Sequence, residues 1–130
     1  MTKQFNTAQE ACDYSVRQIV KQGGRCYHKA RGRCLHSDGQ GNHCAIGWFL
    51  DPDNEDLMNY VQGVRDVVDD FQDEIPQIIR DHVEVFLWLQ GFHDEGYSIV
   101  REAYRNRLRY DHNIDTSAPH WQQWVDMGAE

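Results

Sequence analysis

The chain has 130 residues, 40% of them hydrophobic and 26% charged, which suits one soluble globular domain with a single core and excludes a disordered chain. Thirteen Lys and Arg face twenty-one Asp and Glu for a net charge of −8, which argues against general binding to a phosphate backbone. No apolar run approaches the ~20 residues of a membrane span, and polar residues such as Lys3, Glu10 and Asp13 leave no signal-like stretch at the start. A cytoplasmic location and no membrane contact are expected.

Residues 7–22 predict a helix, because Ala8, Cys12, Ser15 or Val16, and Ile19 recur at three- and four-residue steps before Gly23-Gly24 ends the run. Arg33-Cys34-Leu35-His36 and Asn42-His43-Cys44-Ala45-Ile46 flank a glycine-containing turn and read as a short hairpin. Gly47-Trp48-Phe49-Leu50 should enter the core, and Asp51-Pro52-Asp53-Asn54 breaks the chain before the next helix. There Leu57, Val61, Val64, Val68 and Phe71 form an apolar stripe, with Gly63 placed to kink it. Pro76 opens a further helix whose Ile79, Val83, Phe86 and Leu87 face inward, running to about Gln90 or beyond. A helix over about 97–109 turns Tyr97, Val100, Tyr104 and Leu108 inward. Thr116 or Ser117 before Pro119 starts a short final helix carrying Trp121, Trp124 and Val125. The expectation is a mainly α (α+β) fold, a single helical domain over 1–130 of about five helices with one small β-hairpin near residues 33–46.

Charge is segregated along the chain. From Tyr14 to Ser37 there are six Lys and Arg and no acid, whereas Asp51 to Glu84 holds eleven acids against Arg65 and Arg80. A third stretch carries Arg101, Arg105, Arg107 and Arg109 against Glu102 alone. Opposite blocks can pack together and neutralise one another, or they can face a charged partner. Asp66, Asp69, Asp70 and Asp73 step by three, one and three, so a helix puts them on one face, away from Val64, Val68 and Phe71. Carboxylates one turn apart lie about 5–6 Å from each other, a spacing comparable to phosphates along a strand. Such a face is either solvated or able to occupy a basic groove. Nucleic-acid binding through 17–33 and the four arginines, with Tyr27, Tyr104 and Tyr110 for stacking, is unexpected given the overall acidity.

Cys26 travels with His28, Cys34 with His36, and Cys44 with His43. Thiolate and imidazole suit tetrahedral zinc, with Cys26, Cys34, Cys44 and His36 as the candidate ligands, although the Cys-x2-Cys spacing of a finger is missing. Buried reduced cysteines account for the same residues without a metal. A third reading makes Cys44 a nucleophile served by His93, with Asp94 poorly placed to orient it because helix neighbours point about 100° apart.

Cys34, the Cys44-Ala45-Ile46-Gly47 stretch ten residues later, and Leu50-Asp51-Pro52-Asp53 together resemble small uncharacterised proteins of phages and prophages. Gln22-Gly23 ahead of the cysteines and the helix ending Leu89-Gln90-Gly91-Phe92-His93-Asp94 fit the same pattern. The chain departs from it at His36 and Ser37, where the pattern has Tyr-Arg, and Cys26 and His28 have no counterpart in it. The resemblance implies a phage-like accessory protein acting inside a bacterial cell. It singles out Cys34, Cys44, Gly47, Gln90, His93 and Asp94, and we expect Gln90 and His93 to bond backbone groups of the Cys-Ala-Ile-Gly turn.

No reaction is named by these residues. The leading expectation is a binding protein and not an enzyme: an acidic inhibitor of a host nucleic-acid or defence enzyme, using Asp66, Asp69, Asp70 and Asp73 against a basic surface and needing no cofactor. The alternative is a zinc-binding or thiol-dependent protein built on the 26–44 segment. Trp121 and Trp124 either close the core or serve a partner or a homodimer.

Overall fold

Thr7 starts helix α1 (Ala8–Gln22) by accepting the Glu10 N–H on its hydroxyl at 3.1 Å, and Gly23 ends it at φ 87° while bonding Val20 O. A side chain at Gly23 would be strained there, which explains the sharp stop. The computed structural model describes residues 5–28, 33–34, 42–51, 53–58 and 64–130. Ala11, Cys12, Ser15, Val16 and Ile19 form the buried face of α1, on the predicted period.

After the glycine turn the chain runs extended. Strand β1 (Tyr27–His28) pairs antiparallel with β2 (Arg33–Cys34), with Tyr27 opposite Cys34 and His28 opposite Arg33. The described ribbon therefore lies upstream of the 33–46 hairpin read from the sequence, and Arg33-Cys34 pairs with the segment leaving α1. Residues 35–41, which include the expected turn and His36, lie outside the described residues. A short turn at Gly47–Phe49 then carries Phe49 into the core, edge-on to Phe86 with centroids 5.6 Å apart.

The predicted stripe helix is seen as α2 (Glu55–Met58) and α3 (Val64–Asp70), with 59–63 outside the described residues. Val64 and Val67 are buried while Val68 is half-buried, so the helix is rolled from the expected Val64–Val68 seam. The Pro76 helix is broken in two, α4 (Gln77–Asp81) and α5 (Val83–Asp94), because His82 leaves helical geometry at φ −133°, ψ 44°. Helix α6 (Ser98–Asp111) buries Leu108 and, unexpectedly, Arg101, whereas Tyr97 is 57% exposed. Arg101 is tolerated inside because Nε donates to Glu95 O, Nη1 donates to Trp124 O, and its guanidinium lies 3.8 Å over the Trp124 ring. Burial, followed by the nearby Arg25 charge, lowers its pKa to about 10.

Helix α7 (Pro119–Asp126) starts from Ala118 with no side-chain cap; the Ser117 hydroxyl instead donates to Asp115. Trp121 and Trp124 are fully buried, so the pair belongs to the core. Their indole N–H groups still need acceptors, and they find Asp13 Oδ1 and Phe92 O, each at 2.8 Å. Helix α7 packs on α1 and α6, and α5 packs on α1, α3 and α6. The result is a mainly helical fold around one buried apolar cluster. Among the described residues no helix is long and apolar enough to cross a membrane.

Candidate functional site

The cysteine segment and the end of α5 meet. Gln22, the last residue of α1, holds His43 in both directions, donating from Nε2 to His43 O at 2.8 Å and accepting from its N–H on Oε1 at 3.0 Å. Ser15 donates to Ala45 O at 2.8 Å. These bonds lay the Cys44–Gly47 turn against α1, and α5 closes it from the other side. Gln90 Oε1 accepts the Ile46 N–H at 3.2 Å, while its Nε2 donates to Asp94 Oδ1 at 2.7 Å.

His93 is buried and lies parallel to Trp124, with ring centroids 6.1 Å apart and planes 8° apart. Its Nε2 accepts the Cys26 N–H at 3.2 Å, and its Nδ1 lies 2.7 Å from Asp94 Oδ1. Because Nε2 spends its lone pair on an N–H, the ring proton sits on Nδ1 and is donated to the carboxylate. The expectation for Gln90 therefore matches its bond to the turn, whereas His93 bonds the strand entrance and not the turn. Asp94 does orient His93, contrary to the helix-angle argument. Nδ1 is the ring nitrogen nearest the backbone, and a short carboxylate on the last helical residue can reach it. Arg25 Nη1 donates to Asp94 O at 2.8 Å and fastens the same corner.

Cys44 is buried, and its sulfur accepts the Gly47 N–H at 3.3 Å. Burial first, then the Asp94 charge, push its thiol well above the ordinary range, with the Gly47 N–H working the other way. Cys26 is buried too and its sulfur donates to Asn42 O at 3.5 Å. Cys44 is thus held as a protonated thiol that closes its own turn through the Gly47 N–H, in the corner where His93 has both ring nitrogens engaged. Of the candidate zinc ligands, Cys26 and Cys44 share this corner, Cys34 is placed by its backbone opposite Tyr27, and His36 lies outside the described residues. Among the described residues no three His, Cys, Asp or Glu side chains are grouped to hold a metal ion. Gln22, Ser15 and Arg25 were missed as members of the junction. The Gln-Gly motif was the one signal that pointed to Gln22.

The acidic candidates lie elsewhere. Asp66, Asp69 and Asp70 are exposed on α3, and exposed Asp73 follows on the short turn Gln72–Glu74. Arg65 pairs with Glu84 inside the acidic block, and on α6 Arg105 pairs with Glu102 and Arg107 with Asp111. The α6 arginines are thus largely engaged, with Arg101 buried and Arg105 also donating to Gln122. Compared with known proteins, the chain matches no family, no curated protein and no solved structure.

Proposed function

We propose that the chain works by binding, presenting its acidic arm to a basic surface of a protein partner. The observation that carries this reading is the exposure of Asp66, Asp69, Asp70 and Asp73 along α3 and the turn after it, on a helix anchored by Val64 and Val67. Carboxylates held on a seated helix keep their spacing, and a field of one sign steers a basic partner into contact. Asp53, Glu55, Asp56, Glu74 and Asp81 are exposed in the same stretch and enlarge that field. The thiol–imidazole junction has a scaffolding part in this reading, fixing the 42–47 turn between α1 and α5. In the setting implied by the phage-like motifs, the partner is a host enzyme with a groove made for nucleic acid, and the chain inhibits it by occupying that groove.

The test is a variant with Asp66, Asp69, Asp70 and Asp73 all changed to Asn. Partner capture from the bacterial host should weaken steeply as salt rises for the parent chain and vanish for the variant. Undiminished, salt-insensitive capture by the variant would refute the proposal.

A further inference from the structure

Beside the acidic arm, Glu84, Leu87 and Trp88 of α5 and Tyr104 of α6 line a groove of about 230 Å³. Trp88 and Tyr104 are half-buried, with ring centroids 5.3 Å apart and planes tilted by 58°. The groove has a built floor: a Cβ at Gly91 would lie 2.7 Å from Tyr104 Cδ1, so only glycine lets that ring settle against α5. Its rim is charged unevenly. Glu84, 59% exposed, reaches across to Arg65 of α3, beyond which lie Asp66, Asp69 and Asp70. On the α6 side Arg107 lies over the Trp88 ring at 5.6 Å but is paired with Asp111.

We propose that this groove anchors a basic amphipathic helix of a protein partner. One bulky apolar side chain enters between Leu87, Trp88 and Tyr104, while lysines or arginines on the flanking turns meet the α3 aspartates beyond the Arg65–Glu84 pair. Paired aromatic rings next to a charged rim are the residue types that concentrate binding energy, and a helix delivers its anchors at three- and four-residue steps. Charge complementarity selects the occupant: a second copy would bring its own −8 against the same acids. The proposal rests on the acidic-arm reading and adds the partner's form and its anchoring point.

The probe is a synthetic helical peptide with leucines on one face and lysines on the other, titrated into the full chain and followed by amide and indole NMR shifts. A control peptide carries glutamate for every lysine. The lysine peptide should shift the Trp88 indole and the Tyr104 and Leu87 amides. Affinity should fall at least tenfold with Trp88→Ala and severalfold with Glu84→Lys, an exposed change that keeps the fold if Trp88→Ala does not. The glutamate peptide should leave the spectrum unchanged. Absence of binding, or binding that spares Trp88 and survives both substitutions, overturns the groove. If that binding is lost with the four aspartates, the acidic-arm reading stands alone. Binding that needs Trp88 but ignores the aspartates upholds the groove and overturns the reading beneath it. Sedimentation of a dimer that Trp88→Ala dissolves would make a second copy the occupant and overturn the proposal.

Discussion

Replacing His93 with alanine measures what the junction contributes to the fold. The imidazole is buried, accepts the Cys26 N–H at 3.2 Å, and lies parallel to Trp124. Truncation strands the Cys26 donor away from water, at about 1–3 kcal/mol. The void left by the ring adds about 2 kcal/mol, the lower end for a large-to-small core change because the imidazole is smaller and more polar than Phe or Leu. The total is about 3–5 kcal/mol. At about 4 °C per kcal/mol for a chain of this length, Tm should drop by roughly 12–20 °C. Thermal unfolding followed by far-UV circular dichroism and by calorimetry reads this directly. Two partial replacements sharpen the test. His93→Gln can place an oxygen near the Nε2 position and keep the Cys26 N–H paired, whereas His93→Asn reaches only the Nδ1 position. Gln should therefore recover about half the loss and Asn little of it. A His93→Ala curve within about 2 °C of the parent would refute the reasoning, because no buried donor can be stranded so cheaply.

Gly91→Ala should destabilise by about 1–3 kcal/mol by forcing the Tyr104 ring away, and Tyr104→Ala should restore part of that loss in the double variant; strict additivity in urea unfolding would contradict the contact. Burial holds His120 below its ordinary 6.5, against the pull of Asp13. The unfolded chain therefore binds this proton more tightly, so stability falls as pH drops below 6.5 and returns as pH rises through that range. His120→Gln should flatten that slope in denaturation curves taken between pH 5 and 8, a range set by about one unit of ordinary histidine variation, and an unchanged slope would remove His120 from the account. Cys44 should resist iodoacetamide in the native chain and react only as fast as the chain opens, as read by mass spectrometry. Alkylation at the rate of a free cysteine would show an accessible, activated thiol instead.

The parts of this fold that could be read in advance depend on local rules. Thr7, the α1 stripe and Gly23 mark one helix from cap to stop, because capping and periodicity act within a few residues. Trp121 and Trp124 could not be placed in advance, since the same indoles serve a core or an interface, and only Asp13 and the Phe92 carbonyl decide between them. Arg101 escaped notice for a similar reason: its partners are the Glu95 and Trp124 carbonyls, which every residue type supplies. The junction was half legible. Gln90 and His93 were singled out by the phage-like motif that carries them, but the N–H that His93 accepts belongs to the backbone, and nothing in the name of Cys26 announces it. Asp94 was misjudged because the 100° rule describes where Cβ atoms point and not how far a short carboxylate can swing at a helix end. The break at His82 carries no proline or glycine signal at that residue.

The bonds that hold α7 carry a consequence for how the molecule comes together. Trp121 fastens to Asp13 and the Gln9 amide to the Asp115 backbone, links that span 108 and 106 positions. During synthesis these two bonds of α1 must therefore wait until residues 115–121 have followed it out of the ribosome. Contacts this far apart in sequence must close a long loop before they stabilise anything, which slows the docking of α1 on residues 119–126.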